Sequence, residues 1–276
     1  MKRFFKSVGL TTMFVFVFAV CMLAVSAAVS IFVPNISVDV SFMVLYFCSM
    51  FTVYGAALLI ERVAFKQMLP VLNSRHGFNP ITLLFGVVLI ISISIVLLPL
   101  EGVLSADSRT FPDGPCTLLT VVLLAPIFEE MIFRARLYNI LSRNTSPLVS
   151  ASLSAVAFGA VHMEPIVVIE ALVVGVVFSY YYLSKRSIFT PIVLHIFNNA
   201  IAYSLLVLSY RGETLRAIVG SGEMRLVVYI VAALIVTCGA VVILRFFVKE
   251  KRRMRGVECQ DMETLAEHHD PDQLAE

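Results

Sequence analysis

The stretch APIFEEMIFRARLY, residues 125–138, places two adjacent glutamates, Glu129 and Glu130, and an arginine, Arg134, inside an apolar segment. The surrounding chain is oily. Of 276 residues, 59% are hydrophobic and 14% charged, with a mean hydropathy of +0.91, whereas a soluble domain carries about 25% charged residues. A charged side chain facing lipid at a helix centre costs about 2.5–3.5 kcal/mol, so these three would cost on the order of 8–10 kcal/mol. They must therefore face a bundle interior or a wet cavity. The expected fold is all-α, a polytopic membrane helical bundle around an intramembrane cavity.

Crossing a hydrocarbon core takes roughly 20 apolar residues. Working outward from the quoted stretch, such windows fall at 9–33, 40–60, 80–100, 117–132, 147–162, 166–184, 188–209 and 226–248, eight in all. The basic start, MKRFFKS, resembles the front of a signal peptide, but the apolar run behind it exceeds the roughly 7–15 residues of a signal core. We therefore expect an uncleaved span. Basic residues mark the cytoplasmic ends of spans: Lys2, Arg3 and Lys6 precede the first, Arg62, Lys66 and Arg75 follow the second, and Arg136 and Arg143 follow the fourth. Lys185 and Arg186 follow the sixth, and KEKRRMR (249–255) follows the eighth. With an even count both termini are cytoplasmic and the acidic loop 101–115 is outside. The loop 210–225, with three arginines, fits less well.

The expected organisation is one transmembrane domain over 1–248, with its polar core at about 117–203, followed by a cytoplasmic tail at 249–276. The net charge of +2 hides a split in that tail. The basic run 249–255 should lie on anionic headgroups. Residues 256–276 carry seven carboxylates and no Lys or Arg, so they are expected to be disordered. Five cysteines without CxxC spacing give neither a disulfide framework nor a thiolate metal site. Phosphate loops, internal repeats and nucleic-acid motifs are absent from the sequence, and no nucleic-acid partner is expected.

Glu130 and Arg134 lie four apart on one helical face, in the favourable acid-before-base order. Glu129 sits about 100° around the helix, with Phe133 rather than a cation one turn on. It is left as the carboxylate free to take a proton from water, the work of a general base. Two further segments repeat the one-turn spacing: FGAVH aligns Phe158 with His162, and HIFNN aligns His195 with Asn199. A base, two imidazoles and an amide can activate a water and hold an oxyanion. Glu170 is a further carboxylate inside a span, expected to be structural.

EExxxR, FxxxH and HxxxN, in that order and each on its own helix, resemble the CPBP family of intramembrane glutamate proteases, which includes Rce1-type CAAX prenyl proteases and the bacterial Abi or bacteriocin-processing proteins. The resemblance covers about 117–203. It implies an endopeptidase of a bacterial cytoplasmic membrane that cleaves membrane-anchored, including prenylated CAAX-type, peptides without a cofactor. Glu129 and His162 would activate water, and His195 and Asn199 would hold the oxyanion. Glu130, Arg134 and Phe158 would support them. Other readings stay open. Glu129, His162 and His195 also form a His₂Glu set of the kind that binds catalytic zinc, although HExxH is absent. A proton-coupled transporter would use the same residues as a relay, although no repeated halves are seen. A non-catalytic immunity or interaction protein would keep only the scaffold. His162 falls at the outer end of its span, away from Glu129, so spans five and six are expected to be short helices beside water.

Overall fold

A computed structural model describes residues 2–32, 36–66, 68–74, 79–104, 114–162, 164–208 and 222–267. Eight helices account for nearly all of them: α1 Lys2–Phe32, α2 Val38–Phe65, α3 Pro80–Leu104, α4 Pro115–Ser142, α5 Pro147–Ala160, α6 Pro165–Lys185, α7 Phe189–Leu208 and α8 Glu223–Glu267. Among the described residues the extended pairing is a single bridge, Asn73 to Ser187. Six helices, α1 to α4, α6 and α8, are long and apolar enough to cross a membrane. The chain is an integral membrane protein built as a polytopic helical bundle. Most of the expected outer loops, 105–113 and 209–221, lie outside the described residues.

Local chemistry sets the helix ends. Ser37 caps α2 by accepting from Val40 N–H. Pro115, Pro147 and Pro165 each open a helix, where the missing N–H costs nothing. Lys66 and Arg186 stop α2 and α6 in left-handed backbone. One expectation is corrected. The fourth span continues past Ile132 to Ser142, because Arg134 and Arg136 are buried beside carboxylates and need not reach water. The tail continues α8 as far as Glu267. Its Val, Met, Glu, Leu and Ala residues contain no proline to break the run begun in the membrane. Residues 268–276 lie outside the described set.

In lipid, helices associate by close packing rather than by escape from water. α5 and α6 meet most extensively, through small residues: Ser150, Ala151, Ser154 and Ala155 are fully buried. At Gly175 an added Cβ would lie 2.9 Å from the Ala155 Cβ, so only glycine allows this approach. Two apolar cores flank α4. Phe14, Phe18, Met50, Val53, Phe133 and Phe158 join α1, α2, α4 and α5, while Leu89, Ile93, Phe178, Tyr182, Leu194 and Phe247 join α3, α6, α7 and α8. The EExxxR residues sit on the helix between these cores.

Candidate active site

α4 is not a uniform helix. Wider π-helical turns at Thr120–Leu124 and Met131–Tyr138 flank the α-helical turn Ala125–Glu130, and such turns gather at functional sites. In the first, Ala125 N–H reaches Thr120 O, five residues back. The next rung would join residue 126 to Val121 O, but Pro126 has no N–H. Asn199 fills the vacancy, its Nδ2 donating to Val121 O at 2.9 Å. This bond also fixes which end of the Asn199 amide is nitrogen. Asn198 Nδ2 donates to Asn199 Oδ1 at 3.3 Å.

Glu130 and Arg134 form the expected pair, at 2.8 Å and fully buried. Arg134 also donates to Gly175 O at 3.2 Å, and its guanidinium lies 4.4 Å from the Phe158 ring centre and 5.3 Å from that of Phe178. Glu130 Oε1 is shared, since His195 Nδ1 lies 2.9 Å from it. A carboxylate bonded to a guanidinium can only accept, so His195 donates from Nδ1 and turns Nε2 toward Glu129, 3.6 Å from its Oε2. The imidazole is held between Phe158, edge-on at 5.7 Å, and Phe178 at 5.0 Å.

Glu129 is not solitary, contrary to the expectation from spacing. Its Oε1 accepts from the Tyr46 hydroxyl at 2.7 Å, and His195 stands at the other oxygen. Both neighbours come from other helices, which spacing within α4 cannot reveal. His162 follows the short α5, and its Nδ1 bonds Phe158 O at 2.7 Å, with no bond at Nε2 among the described residues; its ring lies 4.8 Å from Phe158. Glu129, Glu130, His195 and Arg134 are thus in direct succession, Asn199 is tied to α4, and His162 stands at the half-buried edge. Among the described residues no three His, Cys, Asp or Glu side chains converge as a metal-binding group. Glu170 accepts from Ser94 Oγ at 2.5 Å, joining α6 to α3.

Two features escaped the sequence reading. Tyr46 carried no motif. Arg136, read there as a loop cation, is buried and donates to Glu61 Oε2 at 3.0 Å, Leu69 O at 3.2 Å and Tyr54 OH at 3.2 Å. Glu61, itself fully buried, also accepts from Leu69 N–H. The two residues hold the segment after α2 against the bundle. A lone Glu near the end of an apolar window, in a chain with another arginine to match, was the available signal.

Residues 112–201 match the model of the Rce1-like family, described as type II CAAX prenyl endopeptidase Rce1-like. No curated protein and no solved structure matches the chain. The matched stretch runs from just ahead of α4 into α7 and contains Glu129, Glu130, Arg134, Phe158, His162, His195 and Asn199. The resemblance carried by EExxxR, FxxxH and HxxxN therefore holds over this stretch, which is similar to the Rce1-like endopeptidase family. Tyr46 and Glu61 lie outside it.

Proposed function

We propose that this chain hydrolyses membrane-anchored peptides, prenylated CAAX-type peptides among them, with a water activated by Glu129 and without a metal. The placement of Glu129 carries the reading. Its side chain is 12% exposed, one oxygen is held by Tyr46 and the other faces His195. Two carboxylates, Glu129 and Glu130, stand against one guanidinium, and one further proton would balance the charges of the cluster. With that proton on His195, Nδ1–H donates to Glu130, Nε2–H is available to an oxyanion, and Glu129 remains ionised as the base.

Glu129 takes a proton from water as the water oxygen bonds to the peptide carbonyl carbon, and the carbonyl π pair moves onto oxygen. His195 Nε2–H and the second N–H of Asn199, the first being spent on Val121, stabilise that charge. As the C–N bond breaks, its electron pair stays on nitrogen. That nitrogen receives the proton, with His162, whose Nε2 has no bond among the described residues, completing the transfer. The products are a carboxylic acid, which loses its remaining proton to solvent water, and an amine.

The test is cleavage of a lipidated reporter peptide by purified protein in liposomes. Glu129→Gln is expected to abolish turnover with the melting temperature nearly unchanged, and chelators to leave the wild-type rate intact. Substantial cleavage by Glu129→Gln removes Glu129 from the base role. Activity lost to a chelator and restored by zinc would convert the reading to a metalloprotease.

A further inference from the structure

The hydrogen bond from Tyr46 to Glu129 crosses from α2 to α4 and joins residues 83 apart in sequence. It reaches the base from outside the stretch that matches the peptidase family. A carboxylate free to rotate presents its two oxygens at random, whereas proton transfer needs one of them within hydrogen-bond reach of water in a fixed direction. Here Oε1 is taken at 2.7 Å, while Oε2 lies 3.6 Å from His195 Nε2, too far for a direct bond. The oxygen left to receive a proton is thereby selected. The tyrosine ring is itself held, packed against the core of α1, α2 and α4 and 6.5 Å from Phe42. Its hydroxyl can thus be removed without freeing the ring.

Building on the base role of Glu129, we propose that Tyr46 is a positioning residue of the hydrolytic site. It fixes Glu129 Oε1 so that Oε2 faces the water and His195, and it stabilises the ionised carboxylate by a charge-assisted bond. Besides Tyr46, the ionisable groups around Glu129 are His195 on α7 and, on its own helix, Glu130 and Arg134. The catalytic unit therefore extends beyond 112–201, and α2 is part of it.

The experiment compares wild type, Tyr46→Phe and Glu129→Gln on the reporter peptide in liposomes. Tyr46→Phe is expected to lower kcat about 10- to 100-fold, the loss of one hydrogen bond to a charged group, with KM within about twofold because the bond acts on the base. The acidic limb of its kcat profile should move to higher pH, since a donor favouring the charged carboxylate is gone. A ring-fluorinated tyrosine at 46, a stronger donor, should move that limb the other way. Wild-type kcat and an unmoved profile in Tyr46→Phe, with Glu129→Gln inactive, would overturn the role of Tyr46 and leave the base assignment standing. A loss of kcat that tracks lost thermal stability, with the profile unmoved, would also overturn it. Cleavage that persists in Glu129→Gln would overturn both.

Discussion

Arg134 shows how much one side chain can hold. It is wholly buried, bonds Glu130 and Gly175 O, and lies between the rings of Phe158 and Phe178. Phe158 of the FxxxH motif therefore serves the arginine as well as His162. Removing the cation leaves Glu130 charged, with only His195 beside it. Arg134→Ala is expected to destabilise the protein by about 3–5 kcal/mol and to reduce activity, whereas Arg134→Lys keeps the charge but loses the stacked, planar guanidinium. Unfolding in mixed detergent would measure the difference. A fully stable but inactive Arg134→Ala protein would assign the arginine a direct part in the chemistry.

Within α4, Pro126 and Asn199 form one device. The proline removes the N–H that would pair with Val121 O, and the amide from α7 replaces it at 2.9 Å, so a gap in one helix becomes the bond that seats another. Asn199→Ala should cost about 1–3 kcal/mol of stability by leaving Val121 O unpaired. In a Pro126→Ala background, where the helix can close its own rung, the same change should cost close to nothing. The loss of kcat, about 10²–10³ for one oxyanion donor, should persist in both backgrounds. A double-mutant cycle on stability and kcat separates the bond to Val121 from the proposed oxyanion role. Additive stabilities would mean that Val121 O finds its partner elsewhere.

Across the whole molecule, Arg136, Arg186 and the 249–255 run share one end, whereas Arg225 opens α8 at the other. Arg136 is anchored by Glu61, Ser74 N–H bonds Arg186 O, and Phe246, just ahead of the 249–255 run, packs against Tyr180 near the end of α6. The opposite end is marked by Asp39, whose carboxylate accepts from the backbone of Cys116 and Thr117 and so caps the start of α4 beside the start of α2. Placing the basic end in the cytoplasm, we expect reporters fused near residue 75 and after residue 276 to be cytoplasmic, and one within 101–115 to be external. An external reporter after residue 276 would mean an odd number of crossings.

Hydropathy and charge spacing by themselves determined that the chain is a membrane bundle, the order of its eight helices though not the ends of the fourth and the last, that Glu130 pairs with Arg134, and which seven residues carry the motifs. Each is a property of neighbours within one helix, where the 3.6-residue period converts sequence separation into direction. The contacts between helices were decided only by the tertiary structure. Tyr46 on Glu129, His195 bridging the two glutamates, Asn199 on Val121 and Arg136 on Glu61 each join residues 65 to 83 apart. Spacing along a chain carries no information about which helix lies beside which. Gly175 and the small residues of α5 set that adjacency by allowing two backbones to approach closely, and the buried charges then found partners wherever the packing had brought them.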